Sequence, residues 1–360
     1  MRNFLTSILK KINSKADNAE HELSTIEVTK EEEKSLPTTK KNVKKKQKNP
    51  GKNIKSSYPF QDQSSISSQK MKMLVGVGEI RLDPDKAESA FMARQLVQAT
   101  LPHKNPGDIP VWSRKNGSLM MSIQPGVDIK KGKSIGYPYG TLPRLLLFWI
   151  TTEAVRTQNP RIELGESLSS FMEKLGLDSS RGGKRSDAKR LREQMIRLFQ
   201  STISFDQSTT GKKAWLNMQI APKGVLWWDE KQPEQSSLWG SWIQLGEDFF
   251  KAITASPVPV DIRALKVLKN SPLALDLYAW ATYTAYQTQQ TGKERSISWG
   301  QLHEQFGAEY NTIKNFSAKA WKAFSKVQLV YPNLNIQRVP GGIKILRSTP
   351  SINVKKKLHV

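Results

Sequence analysis

The sequence predicts an α+β, mostly helical protein: two tandem winged-helix domains preceded by a disordered basic tail. Three observations carry this. A charged, aromatic-poor stretch fills the first 72 residues. A series of helix, short helix, turn, basic helix and hairpin follows, and the same order of elements returns near the C-terminus. The organisation expected from them is a tail over 1–72, an N-terminal extension packing on the core over 73–135, a first winged-helix domain over 136–256 and a second over 257–360.

Bulk properties narrow the function classes. A chain of 360 residues holds two ordinary domains and a tail. No apolar run approaches the roughly 20 residues of a membrane span, and "LLLFWI" (145–150) reads as core. The absence of cysteine excludes disulfides and thiolate metal sites. With no signal-peptide core in the first residues, the cytoplasm is the expected compartment and no membrane partner is expected. Net charge is +24. The first 72 residues hold sixteen Lys and Arg against eight acidic residues, which leaves +16 on the rest. The folded part is therefore basic in its own right, and a polyanion, nucleic acid first, is the expected partner.

Within the tail, Phe4, Leu5, Ile8, Leu9 and Ile12 make an apolar stripe, a candidate short amphipathic helix over 3–14 suited to a partner's groove or a membrane surface. "KAESAFMARQLVQATL" (86–101) reads as a helix ended by Pro102, followed by a Gly/Pro/Asn loop and the alternating strand "SLMMSIQ". A helix over 141–158 turns Leu142, Leu145, Leu146, Trp149, Ile150 and Ala154 to a core or a dimer interface. "ELGESLSSFMEKLGL" is a short helix stopped by Gly176. Ser186 caps the helix of "GGKRSDAKRLREQMIRLFQS" (182–201), whose buried stripe is Ala188, Leu191, Met195 and Leu198. "STISFDQ" and "KKAWLNMQIA" flank a Thr-Gly-Lys turn as a hairpin, and residues 223–256 bridge to the second series. There, apolar helices broken at Pro272 lead to "SWGQLHEQFG", with a capping box from Ser298 to Gln301 and a terminal Gly307. A helix over 311–327 follows, with Ile313, Phe316, Ala320, Phe324 and Val327 inward, and then a hairpin across Pro340, Gly341 and Gly342.

A helix-turn-helix lays its second helix in the DNA major groove, so that helix needs one buried face and one basic or amide-bearing face. In the second series Lys314, Asn315, Lys319, Lys322 and Lys326 supply the basic face, with Arg338, Lys344 and Arg347 on the hairpin for phosphates or the minor groove. In the first, Arg185, Lys189, Arg190 and Arg192 do so, helped by Arg181 and Lys184 in the preceding turn. A solvated face on a protein-binding domain is the plain alternative; two such helices on a basic core favour DNA.

Catalytic constellations mostly fail; a tyrosine nucleophile stays open, with nothing beside the tyrosines to activate one. The histidines at 21, 103, 303 and 359 are scattered, with no metal-nuclease spacing, and His303 reads as structural. "GVDIKKGKS" (126–134) has five residues between its glycines where a phosphate loop has four, and Tyr137, Pro138, Tyr139 and Gly140 follow where that loop needs a helix. No catalytic residue, metal site or cofactor is assigned, and the expectation is a protein that is not an enzyme.

The blocks "GYPYGTLPRLLLFWITTEAVRT", "LGESLSSFMEKLGL", "GGKRSDAKRLREQMIRLF", "SPVPVDIRALKVLKNSPLALDLYAWATY", "WGQLHEQFG" and "VYPNLNI" resemble RepA-type plasmid replication initiators, from about Gly136 to the end. The resemblance implies a non-enzymatic initiator that binds repeated origin sites (iterons) in double-stranded plasmid DNA. It also implies local opening of the duplex and recruitment of the host's replication initiator and helicase proteins, with one winged helix often serving a homodimer. Two other classes compete: a winged-helix repressor of plasmid genes without replication activity, and a rolling-circle nicking enzyme, which the missing His pair disfavours.

Overall fold

The structure, a computed structural model, describes residues 67–179, 186–206, 213–227, 240–307 and 309–352. The expected tail up to residue 66, the candidate helix over 3–14, Arg181, Lys184, Arg185 and the Thr-Gly-Lys turn lie outside the described residues.

Helix α1 (Ser68–Leu82) starts inside the expected tail. Its two glycines disfavour a helix by themselves; burial of Val77 and Ile80 and the close approach of Gly76 to Val267 hold it in place. The helix expected over 86–101 is a correction: Ser89–Ala93 forms strand β1, and only Arg94–Gln98 is helical, as α2. The reason is tertiary. β1 pairs antiparallel with residues 257–261, and Ala90, Met92 and Ala93 are buried there, which outweighs the modest helix preference of Ala and Met. The loop after Pro102 also holds a strand, β2 (Trp112–Asn116), paired with β3 (Leu119–Gln124), which falls where "SLMMSIQ" predicts it. A small hairpin follows, β4 (Val127–Asp128) and β5 (Lys133–Ser134).

Helix α3 (Leu142–Thr157) is buried on nearly every side, Leu147, Phe148 and Arg144 included; Trp149 is half-buried, edge-on to Phe171 at 4.8 Å. Then come β6 (Arg161–Glu163), α4 (Leu168–Lys174), α5 (Asp187–Phe199) and the hairpin β7 (Thr202–Asp206) and β8 (Trp215–Gln219). The Ser167 and Ser186 side chains accept N–H bonds from Ser170 and Lys189, capping α4 and α5. Next are β9 (Lys223–Val225), β10 (Trp242–Gln244), α6 (Glu247–Ala255), β11 (Pro257–Asp261) and α7 (Ile262–Leu268). The second series is α8 (Pro272–Thr291), β12 (Arg295–Ser298), α9 (Trp299–Phe306), α10 (Ile313–Val330), β13 (Ile336–Val339) and β14 (Gly342–Ile345). The capping box of Ser298 and Gln301 is present.

The two series share an order of elements but not a sheet plan. In the second, β14 lies between β12 and β13, so the strand before the helix pair joins the hairpin that follows it. In the first, β6 pairs with β10, and the β7–β8 hairpin extends β2–β3 into a four-stranded sheet. Strands of the segment before 136 therefore complete sheets with strands on both sides of residue 257.

Three ionisable side chains lie where these parts meet. Arg144 on α3 donates to both Asp276 carboxylate oxygens on α8, at 2.7 and 2.8 Å, and to the carbonyls of Leu101, Pro102 and Gly140. His103 Nε2 lies 2.8 Å from Asp276 Oδ2. Because the carboxylate can only accept, Nε2 carries the proton and donates. A second pair, Arg114 and Glu309, ties β2 to the loop after α9, with Arg114 also bound to the Gln305 carbonyl at 2.9 Å.

These groups set an acid limit on stability. Burial lowers the His103 pKa below the ordinary 6.5, against the opposing hydrogen bond to Asp276 and helped by the Arg144 charge. Burial alone would raise the Asp276 carboxyl, but Arg144 and His103 outweigh it and hold the group well below the usual carboxylate range. Both shifts mean that the unfolded chain binds more protons, so stability drops as pH falls, first through His103 below about 6.5 and then through Asp276 below about 4. Thermal unfolding in one buffer series from pH 8 to pH 4 is expected to give a flat Tm above pH 7.5. Below pH 6.5 the Tm falls by about 2–4 °C per pH unit for each extra proton taken up. A flat Tm down to pH 5 would show that His103 is not held neutral.

Candidate nucleic-acid interface

Helix α10 carries the clearest candidate surface. Thr312 caps it, accepting from the Asn315 N–H at 3.2 Å. Phe316, Ala320, Ala323, Phe324, Val327 and Val330 are buried, with Phe324 and Phe316 set edge-on to Trp280 and Tyr310 at 6.1 and 5.5 Å. That stripe fixes which side of the helix looks out. Lys314, Asn315, Lys319 and Lys322 are exposed and Lys326 is half-buried. Among the described residues no carboxylate lies within ion-pairing distance of these four lysines. One expectation needs correcting: Ile313 is 49% exposed, not inward. It occupies the first helical position, where the helix overhangs the core; burial begins at Phe316.

The hairpin beside α10 is not uniform. Arg338 is exposed and its guanidinium lies over the Trp321 ring of α10 at 5.9 Å, a stacking contact that holds the strand's cation next to the helix. Arg347 is exposed. Lys344 is ion-paired with Glu294, so part of its charge is already answered.

On α5, Ala188, Leu191, Met195 and Leu198 are buried as the periodicity requires, joined by Gln194 and Phe199. Lys189 and Arg190 are exposed and Arg192 is half-buried. Arg190 pairs with Asp187 at 3.0 Å within the first turn. Exposed cations thus cluster at the N-terminal end of the helix, where unpaired backbone N–H groups also favour an anion.

Sequence reasoning missed the Arg144, Asp276 and His103 cluster. A signal existed. Arg144 is the one charged residue in the apolar run "LPRLLLFWI", and such a cation requires a buried partner. Nothing local points to Asp276 as that partner, since it lies on another helix.

A family model described as "Plasmid encoded RepA protein" matches residues 137–301. The matched segment starts where the resemblance was expected to start and ends before α10, so the lysines of α10 stand on their own geometry. No curated protein matches the chain. Among solved structures, a selenomethionine derivative of domains 2 and 3 of RctB is 9% identical with a TM-score of 0.44. A second structure of RctB domains 2–3 is 8% identical with a TM-score of 0.37; each covers 69% of this chain and 94% of the other. No helix among the described residues is long and apolar enough to cross a membrane. Over residues 137–301, a little under half of its length, the chain is similar to the plasmid-encoded RepA replication proteins.

Proposed function

We propose that this protein initiates plasmid replication by binding repeated origin sequences through two winged-helix units, over 136–256 and 257–360. The observation that carries the reading is α10: aromatic residues buried on one side, exposed unpaired lysines on another, and a hairpin arginine stacked against the helix from the adjacent sheet. The strand order β12-β14-β13 around the α9–α10 pair supports a winged helix in the second unit. In the first, the reading rests on element order and the basic start of α5, while its hairpin is occupied by β3. On this reading the protein has no catalytic step of its own. Contacts to several repeats repay deformation of the adjacent duplex, and host initiator and helicase proteins supply ATP-driven unwinding.

The test is a footprint of the purified chain on DNA upstream of its own gene, at physiological salt with excess competitor. Protected repeats spaced one or two helical turns apart, about 10.5 or 21 base pairs, are expected. Diffuse coating that disappears with salt would overturn the reading. Failure of a minimal plasmid carrying gene and repeats to replicate would leave a repressor.

A further inference from the structure

The β4–β5 hairpin, whose sequence fails as a phosphate loop, is built as a projecting arm. Ile129 at its tip is 92% exposed and Val127 is 57% exposed. Lys130, Lys131 and Lys133 are exposed around them, against one carboxylate, Asp128. The turn is closed by hydrogen bonds: the Lys131 and Gly132 N–H groups donate to the Asp128 carbonyl at 3.2 and 2.8 Å, and Gly132 takes a φ of 62°. The Asp128 side chain accepts from the Lys131 backbone N–H at 3.2 Å and pairs with its ammonium, leaving Lys130 and Lys133 as the outward charges.

The base of the arm is seated on the C-terminal end of α5. Ile135 donates to the Gly126 carbonyl at 3.0 Å, and any Cβ on Gly126 would stand 2.6 Å from Gln200 Cβ. Just beyond, Arg197 of α5 donates to the Tyr137 carbonyl and lies over the Tyr139 ring at 5.4 Å. At 1.5 Å per residue, Gln200 at the base of the arm lies about 17 Å along the helix axis from Lys189. That is close to the half-turn of duplex, roughly 17 Å, between a major groove and the next minor groove.

We propose that this hairpin is a second DNA-contacting element, with Ile129 entering the minor groove as a wedge and Lys130 and Lys133 holding the flanking phosphates. An apolar side chain at the tip of a basic ribbon is what unstacks a base step and bends the duplex. The proposal rests on the reading of the protein as an origin-DNA binder. Its test uses the full chain and the upstream fragment of the footprint, with bending measured on circularly permuted copies. Ile129→Ser is expected to lower the bend by at least about 20°, and Lys130→Ala/Lys133→Ala to reduce the log–log salt slope by about two. Both variants change exposed residues, and an unaltered Tm checks the fold. A wild-type footprint with bend and slope unchanged in both variants would overturn the proposal and make the tip a protein-docking element. A wild-type chain that leaves no footprint removes the initiator reading itself, and the hairpin proposal with it.

Discussion

Replacing Arg144 with leucine is expected to cost about 3–5 kcal/mol of stability, read as a fall in the urea midpoint with an unchanged slope. All five N–H groups of its guanidinium have acceptors: two carboxylate oxygens of Asp276 and the carbonyls of Leu101, Pro102 (at 3.0 Å) and Gly140. The side chain is 2% exposed and that of Asp276 is 7% exposed. Removing the cation strands a buried carboxylate with His103 alone, and that unpaired charge, more than the lost attraction, sets the size of the effect. The double variant Arg144→Leu/Asp276→Leu separates the two contributions. It recovers only part of the loss, because three carbonyl oxygens have still lost their donor. A single-variant cost below about 1 kcal/mol would mean that the network does not join α3 to α8.

Legibility in the sequence tracks how local each cause is. Helix α5 and helix α10 were readable because their stripes repeat every three or four residues, and Ser186 stands at the cap of α5. The capping box at Ser298 and the turn at Pro340 and Gly341 are likewise short-range signals. What stayed hidden depends on partners far along the chain. Residues 89–93 carry a helix-like composition, and their strand exists because Pro257–Asp261 offers an edge to pair with. Strand β2 needs β3 beside it, and its Arg114 needs Glu309. In the candidate interface, periodicity placed Lys319 and Lys322 outward correctly, but it could not show that Lys344 meets Glu294 or that Arg338 lies on Trp321.

That difference ranks the basic residues by expected effect on DNA. Lys319→Ala/Lys322→Ala is expected to weaken binding to the upstream fragment at least tenfold, about 1.4 kcal/mol or more, and to lower the log–log salt slope by about two. Both side chains are exposed and neither belongs to the buried stripe of Phe316, Ala320 and Phe324, so the fold should persist; near-ultraviolet circular dichroism checks it. Lys344→Ala is expected to change affinity less, because its charge is already partly neutralised by Glu294. An affinity unchanged by the double variant, with footprints retained, would move the recognition surface from α10 to α5. The exposed Lys189 would then be the residue to replace, and the second hairpin would serve a protein contact instead.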